Sequence, residues 1–228
     1  MKKYIKFFIA LLIFFFGSLF KYIPVYLFNL DMNTISNYTS ILLTTFSNTC
    51  SFLLLVIMFH KDIVVGWKNM KKKKFKPLET GFIYWFCGLM IMVISNFLLS
   101  YFNSGNTSVN EESVRTLLKT APLLSGISIS ILAPTIEELV FRQSFGDIFK
   151  NKWIYVCTSG LLFGALHVFI NPIYSLIDVL YLIPYCSMGI AFACAYYKTK
   201  NILSPLLMHI IHNFLNILSV TLLSGVIL

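Results

Sequence analysis

Charge is the scarcest ingredient of this chain. Only 9 of its 228 residues are Asp or Glu and 18 are Lys or Arg, so charged residues make up 12%. A soluble globular domain carries about 25%, which excludes that class. With 57% hydrophobic residues and a mean hydropathy of +0.79, the chain reads as a polytopic membrane protein. The motifs of the commoner hydrolases are also missing. There is no Gly-x-Ser-x-Gly, no His-Glu-x-x-His and no Ser-His-Asp order, which removes serine-elbow and zincin chemistry. Cys50, Cys87, Cys157, Cys186 and Cys194 form no Cys-x-x-Cys pair and fall in apolar segments, so they read as small buried hydrophobes. No internal repeat and no separate soluble domain is visible, which weighs against a transporter built from paired halves.

What is present is apolar sequence in long runs. A span needs about 20 apolar residues, and by that measure there are about seven, near 5–30, 36–59, 81–102, 121–149, 153–171, 173–197 and 202–224. The expected fold is all-α, a polytopic transmembrane helical bundle. The first run could be a signal peptide, but no small-x-small site follows Phe20, and Lys21 and Pro24 interrupt it, so it reads as a retained helix.

The net charge of +9 does not point to nucleic acid, because the basic residues alternate with the spans. Lys2, Lys3 and Lys6 precede the first span, and Lys61, Lys68, Lys71 to Lys74 and Lys76 follow the second. Lys150 and Lys152 follow the fourth, and Lys198 and Lys200 the sixth. The intervening connections, near Asp31, from Asn103 to Thr120 and at Asn171–Pro172, hold only Arg115 and Lys119. Retention of positive charge then places the N-terminus in the cytoplasm and the C-terminus outside. The lysine-rich stretch at about 60–80 reads as a basic cytoplasmic loop. Two regions follow: N-terminal membrane helices over 1–119 and a helical core over 120–228.

Against this background Glu137 and Glu138 stand out. One charge at mid-membrane costs about 2.5–3.5 kcal/mol even on lenient scales, and such residues mark functional sites by default. On a helix Glu138 and Arg142 are four apart and can pair, while Glu137 points elsewhere and is left for a cavity. Pro134, just ahead, is expected to break the helix and make room for water. His209 and Asn213 share a face of the last span. His167 closes the fifth, where Gly160 and Gly164 allow close helix approach. At 1.5 Å per residue, Glu137, His167, His209 and Asn213 all lie ~12–21 Å from the lysine-bearing boundaries, so they can meet, and a water-filled funnel to them is expected to open toward the cytoplasm. A carboxylate with a nearby imidazole is a general-base arrangement, and a second imidazole with an amide can hold an oxyanion. Glu137, His167 and His209 could alternatively ligate zinc. Glu111 and Glu112 read as solvated in an outer loop, Asp147 and Asp178 belong to no motif, and His212 reads as a satisfied or lipid-facing histidine.

Three motifs in order, Glu137-Glu138-Leu-Val-Phe-Arg142, Phe163-Gly-Ala-Leu-His167 and His209-Ile-Ile-His-Asn213, resemble those of the CPBP (Abi) family. This family comprises CAAX proteases and bacteriocin-processing enzymes and includes the type II CAAX prenyl endopeptidases. The resemblance covers about residues 120–215, including the run-in from Tyr197 to Asn201. It departs at Gln143, where members commonly carry Gly. What it implies is an intramembrane endopeptidase acting on a membrane-associated peptide or protein in a bacterial cell membrane. Glu137 and His167 would activate water, His209 and Asn213 would hold the oxyanion, and Glu138 and Arg142 would support. The family's names often say metalloprotease, and a metal-free, glutamate-type mechanism is also proposed for it. The alternative of the same family is a non-proteolytic immunity or scaffold protein. The expected partners are that substrate and the lipid bilayer, with no nucleic acid.

Overall fold

A computed structural model describes residues 2–103, 106–170 and 172–224. Met1, Ser104, Gly105, Asn171 and residues 225–228, which entered the connection and region assignments, lie outside the described residues. Among the described residues 86% are helical and none lies in a strand. Among the described residues, seven helices are long and apolar enough to cross a membrane: α1 Lys3–Leu27, α2 Asn37–Lys72, α3 Lys76–Phe102, α5 Pro122–Ile148, α6 Lys152–Phe169, α7 Leu176–Thr199 and α8 Leu203–Leu222. Between α3 and α5 stands a shorter helix, α4, Val109–Thr120. The protein is an integral membrane protein.

The expected basic loop at 60–80 is almost entirely helix, which corrects that assignment. α2 continues through Lys61, Lys68 and Lys71 to Lys72, and α3 resumes at Lys76. Lysine is a good helix former, and no proline interrupts α2. A helix of 36 residues spans ~54 Å, well beyond a ~30 Å hydrocarbon core. The lysines therefore ride on a helical extension, and the reversal takes only Lys73–Phe75, where Lys74 and Phe75 adopt φ of 46° and 62°. The connection between α3 and α5 likewise carries helix, with Ser108 capping α4 by accepting the Glu111 N–H at 3.2 Å.

The ends that carry Lys6, Lys61 to Lys76, Lys150 and Lys200 gather at one pole of the bundle. Lys6 pairs with Asp62 at 3.0 Å, Phe7 packs edge-on against Phe145 and Phe149, and Asn201 donates to the Gly66 carbonyl at 2.9 Å. The buried cluster of Leu55, Phe59, Met70, Leu139, Phe141, Tyr155 and Tyr196 fills this half. α1 is part of the packing, with Phe14 edge-on against Phe141 at 5.0 Å and Ala10 wholly buried. It tightens to a 3-10 turn at Gly17–Lys21, just ahead of Pro24, which cannot donate to the preceding turn. Large side chains such as Ile57, Phe97 and Leu222 remain exposed around the bundle, as a lipid-facing surface requires. Cys87 and Cys157 are exposed too, and only Cys50, Cys186 and Cys194 are half-buried, so the expectation of buried cysteines holds in part.

α7 is the central helix, packed between α6 and α3. Glycine makes the α6–α7 approach this close. A Cβ on Gly160 would lie 2.9 Å from the Ile190 Cα, and one on Gly164 2.7 Å from the Cys186 N. The facing Gly189 would meet the Gly160 carbonyl at 2.5 Å. The backbone atoms among these contacts cannot rotate aside as a side chain can. Gly160→Val should therefore lower stability by about 1–3 kcal/mol, the usual cost of overpacking. A thermal melt in detergent should show a clear drop in Tm for Gly160→Val. An unchanged Tm would mean α6 and α7 can separate freely.

Candidate active site

The site is built on a helix that is continuous but twice widened. The expected break at Pro134 is absent. Instead α5 adopts π-turns over Ser128–Leu132 and Glu138–Ser144, on either side of the proline. In the first, the Ala133 N–H reaches back five residues to the Ser128 carbonyl. The next bond in that register would run from residue 134 to the Ile129 carbonyl, and proline has no N–H to give. Asn213 supplies the donor from α8, its Nδ2 lying 2.9 Å from the Ile129 oxygen. In the second π-turn, Ser159 donates to the Phe141 carbonyl at 2.8 Å and Tyr155 to the Arg142 carbonyl at 3.4 Å. Such π-bulges recur at functional sites, and here each widened turn is satisfied from a neighbouring helix.

Glu138 and Arg142 pair as expected, both side chains fully buried, with Nε 3.3 Å from Oε2. The contact is ionic rather than a directed hydrogen bond, since neither atom nor Arg142 Nη1 has a hydrogen-bond partner of good geometry among the described residues. Arg142 is held further by the Gly189 carbonyl at 3.4 Å and by the faces of Phe163 and Phe192, 4.6 and 5.7 Å from the guanidinium. These rings stabilise a buried cation through their quadrupoles.

Glu138 has a second partner that residue spacing could not disclose. Its Oε1 lies 2.9 Å from His209 Nδ1. The other imidazole nitrogen, Nε2, faces Glu137 Oε2 at 3.7 Å, so His209 stands between the two carboxylates. Its ring stacks on Phe192 at 4.7 Å and meets the edge of Phe163 at 5.6 Å. A carboxylate acceptor at Nδ1 places a proton on that nitrogen and fixes the ring's orientation.

His167 is oriented by a different device. Its Nδ1 lies 2.8 Å from the Phe163 carbonyl one turn earlier. A carbonyl can only accept, so the proton sits on Nδ1 and the lone pair on Nε2. The ring is sandwiched between Phe163 at 4.4 Å and Tyr185 at 5.1 Å. Phe163 thus touches Arg142, His167 and His209, which gives the aromatic residue of the second motif a physical role.

Glu137, His167, His209 and Asn213 all line one cavity of about 210 Å³. Of the two adjacent carboxylates Glu137 reaches it, while Glu138 and Arg142 stay behind the wall, the placement expected from their spacing. His212 also lines the cavity, with its Nε2 3.3 Å from the Asn216 amide, and is buried rather than lipid-facing. Asn216, Tyr185 and Glu111 belong to the same wall and escaped the motif reading. Asn216 continues the four-residue spacing from His212, the one sequence signal that could have revealed it. Glu111, expected to be solvated, is drawn in by the folding back of α4. Glu112 does stay exposed. Asp147 accepts from Gln143 at 3.3 Å, and Asp178 forms a capping box with Ser175, so both have structural partners.

The zinc alternative finds no preassembled ligand set. No group of three His, Cys, Asp or Glu side chains suited to a metal ion occurs among the described residues, and the Nδ1 atoms of both histidines are committed elsewhere.

The cavity also faces away from the direction the lysine pattern suggested. Toward the lysine pole it is closed by Phe141, Arg142, Phe145, Tyr155 and Tyr196, all buried. Its lining runs the other way, through Tyr185, Asn216 and Val220 to Asn110, Glu111 and Val114 of α4. The expected funnel toward the basic pole is therefore reversed.

Comparison with known proteins follows the same residues. The family model described as type II CAAX prenyl endopeptidase Rce1-like matches residues 119–215. YdiL of Bacillus subtilis (strain 168), whose name proposes a membrane peptidase, is 30% identical over 115 residues, 49% of this chain and 43% of its own length. The membrane-embedded CAAX protease MroQ of Staphylococcus aureus (strain USA300) is 28% identical over 131 residues, 54% of this chain and 49% of its own. UPF0177 protein YaiH of Lactococcus lactis subsp. lactis (strain IL1403) is 27% identical over 133 residues, 57% and 53% of the two chains. The chain spans about half the length of these curated relatives. No solved structure matches it.

Two outcomes are expected from this geometry. Arg142→Ala strands Glu138 without its cation, a loss of about 3–5 kcal/mol for a broken buried pair, and should lower Tm more than His167→Ala. Equal melting of the two variants would show the pair to be dispensable. For access, single cysteines at Val114 and Lys71 in a background lacking the five native cysteines should react with a charged thiol reagent from opposite membrane faces. Labelling of both from the same face would contradict the reversed opening.

Proposed function

We propose that the chain is an intramembrane endopeptidase of the CPBP family, a reading supported by its similarity to the type II CAAX prenyl endopeptidase model and to membrane-embedded proteases. It would hydrolyse a membrane-associated peptide or protein segment. The observation that carries this reading is the convergence of Glu137, His167, His209 and Asn213 from three helices on one cavity. A binding protein has no need of all four groups, whereas hydrolysis uses each.

In this reading Glu137 holds the attacking water and takes its proton, with His167, which lines the same cavity, to share it. The water oxygen bonds to the carbonyl carbon, and the proton passes to the amine as the C–N bond breaks. His209 Nε2 and the Asn213 amide hold the developing oxyanion. For Nε2 to donate it must carry a proton in addition to the one directed at Glu138. A protonated His209 brings the set Glu137, Glu138, Arg142 and His209 to zero net charge, as a buried cluster requires. Glu138 acts through His209, holding its ring in place. Peptide backbone entering the bilayer needs a polar cavity to satisfy its hydrogen bonds, which suits this lining. The lysine pole would face the cytoplasm of a bacterial cell membrane.

The decisive variant is Glu137→Gln, which keeps the size and removes the base. Purified protein assayed on a quenched-fluorescence peptide library, with and without chelator, should lose activity by a factor of about 10²–10⁴ on this substitution. The variant should still insert and melt like the parent. Near-parental turnover in Glu137→Gln would discard the assignment.

A further inference from the structure

Beside the catalytic cavity lies a second chamber of about 400 Å³, lined by Asn96, Ser100, Tyr181, Glu111 and Arg115 among others. Its wall is shared with the first cavity at Met92, Glu111, Tyr185 and Asn216. The two chambers differ in charge. The carboxylates among their lining residues are Glu111, at the shared wall, and Glu137, in the inner cavity. Arg115 is the one guanidinium or ammonium among them, and it lines the outer chamber alone. Its tie to Glu111 runs through Nε, at 3.2 Å. Helix α4, which carries both, is fastened to α7 beside the catalytic histidine. Ser108 Oγ and Asn110 Nδ2 each lie 3.0 Å from the Tyr185 hydroxyl, whose ring stacks on His167. The Arg115 side chain is thus set at a fixed place relative to the site of hydrolysis, about one helical turn beyond the shared wall.

We infer that the outer chamber is a substrate subsite in which Arg115 binds a carboxylate of the peptide, close in sequence to the bond that is cut. This rests on the peptidase reading of the inner cavity. A guanidinium bound through Nε still presents its outer nitrogens, whose fork geometry matches a carboxylate. The Asn, Ser and Tyr groups around it are donors and acceptors suited to an extended peptide backbone. Inside the shared wall Glu137 repels the same anionic group, so the chamber fixes the direction in which a substrate lies. An acidic side chain and a free C-terminus present the same chemistry, and the peptides used must separate them.

The test measures binding apart from cleavage. The full chain carrying Glu137→Gln, in detergent, is titrated with fluorescent peptides in matched pairs. One set differs by Glu or Gln near the susceptible bond, the other by a free or amidated C-terminus. In one set the acidic member should bind about tenfold tighter, as expected for a charge-assisted contact, and that set identifies the source of the carboxylate. Adding Arg115→Gln should bring the ratio to one, while Arg115→Lys should retain part of it. Equal affinity within both sets, a ratio that survives Arg115→Gln, or no binding of any peptide would each overturn the subsite. The first of these comparisons needs no Arg115 variant and stands even if Arg115→Gln fails to fold. Cleavage by the parent chain is scored separately. Turnover without acid preference keeps the peptidase and discards the subsite, and acid-selective binding without turnover does the reverse.

Discussion

Two carboxylates and a guanidinium buried in one membrane helix are tolerable only if their charges are neutralised in place, and much of the site follows from how this is done. Glu138 lies between Arg142 and His209, with neither carboxylate nor guanidinium exposed to water. Phe163 and Phe192 close around the guanidinium and the imidazole. Both rings come from helices brought together by the glycines at 160, 164 and 189. The close α6–α7 contact and the burial of Arg142 are thus one arrangement. Without the glycine approach, the rings and the Gly189 carbonyl would not reach the cation.

The widened turns of α5 serve the same end. A regular α-helix satisfies its own carbonyls and offers neighbours nothing. Two π-turns release carbonyls toward α6 and α8, where Ser159, Tyr155 and Asn213 donate to them. Pro134 makes one of these donors obligatory, because its missing N–H leaves the Ile129 carbonyl open. Asn213 is therefore held at the cavity wall by the same backbone irregularity that sits next to Glu137. Such a site is positioned by helix backbone rather than by loops, which suits a cavity that has to remain polar within lipid.

The asymmetry along the membrane normal has a comparable cause. The half of the bundle nearest the lysines is filled by Phe141, Phe145, Tyr155 and Tyr196, and the other half leaves space between α4, α7 and α8. Reading depth from helix rise brought Glu137, His167, His209 and Asn213 to one level, and they line one cavity, but it said nothing about which half is packed. That depends on side-chain volumes from helices distant in sequence, and so the opening was expected on the wrong side.

Apolar runs of span length determined the helical bundle and its seven candidate spans, and the three spaced motifs picked out residues that line one cavity. These are local properties: a run's length sets whether it can cross lipid, and a spacing of four sets which residues share a helix face. The pairing of Glu138 with Arg142 and the orientation of Glu137 toward the cavity were legible for that reason. Only the tertiary structure decided that His209 bridges both carboxylates, that Asn213 completes a turn broken by Pro134, and that Glu111, Tyr185 and Asn216 join the wall. Each of these contacts joins residues on different helices, as His209 and Glu138 do across 71 positions. Periodicity within one helix carries no information about the face another helix presents to it.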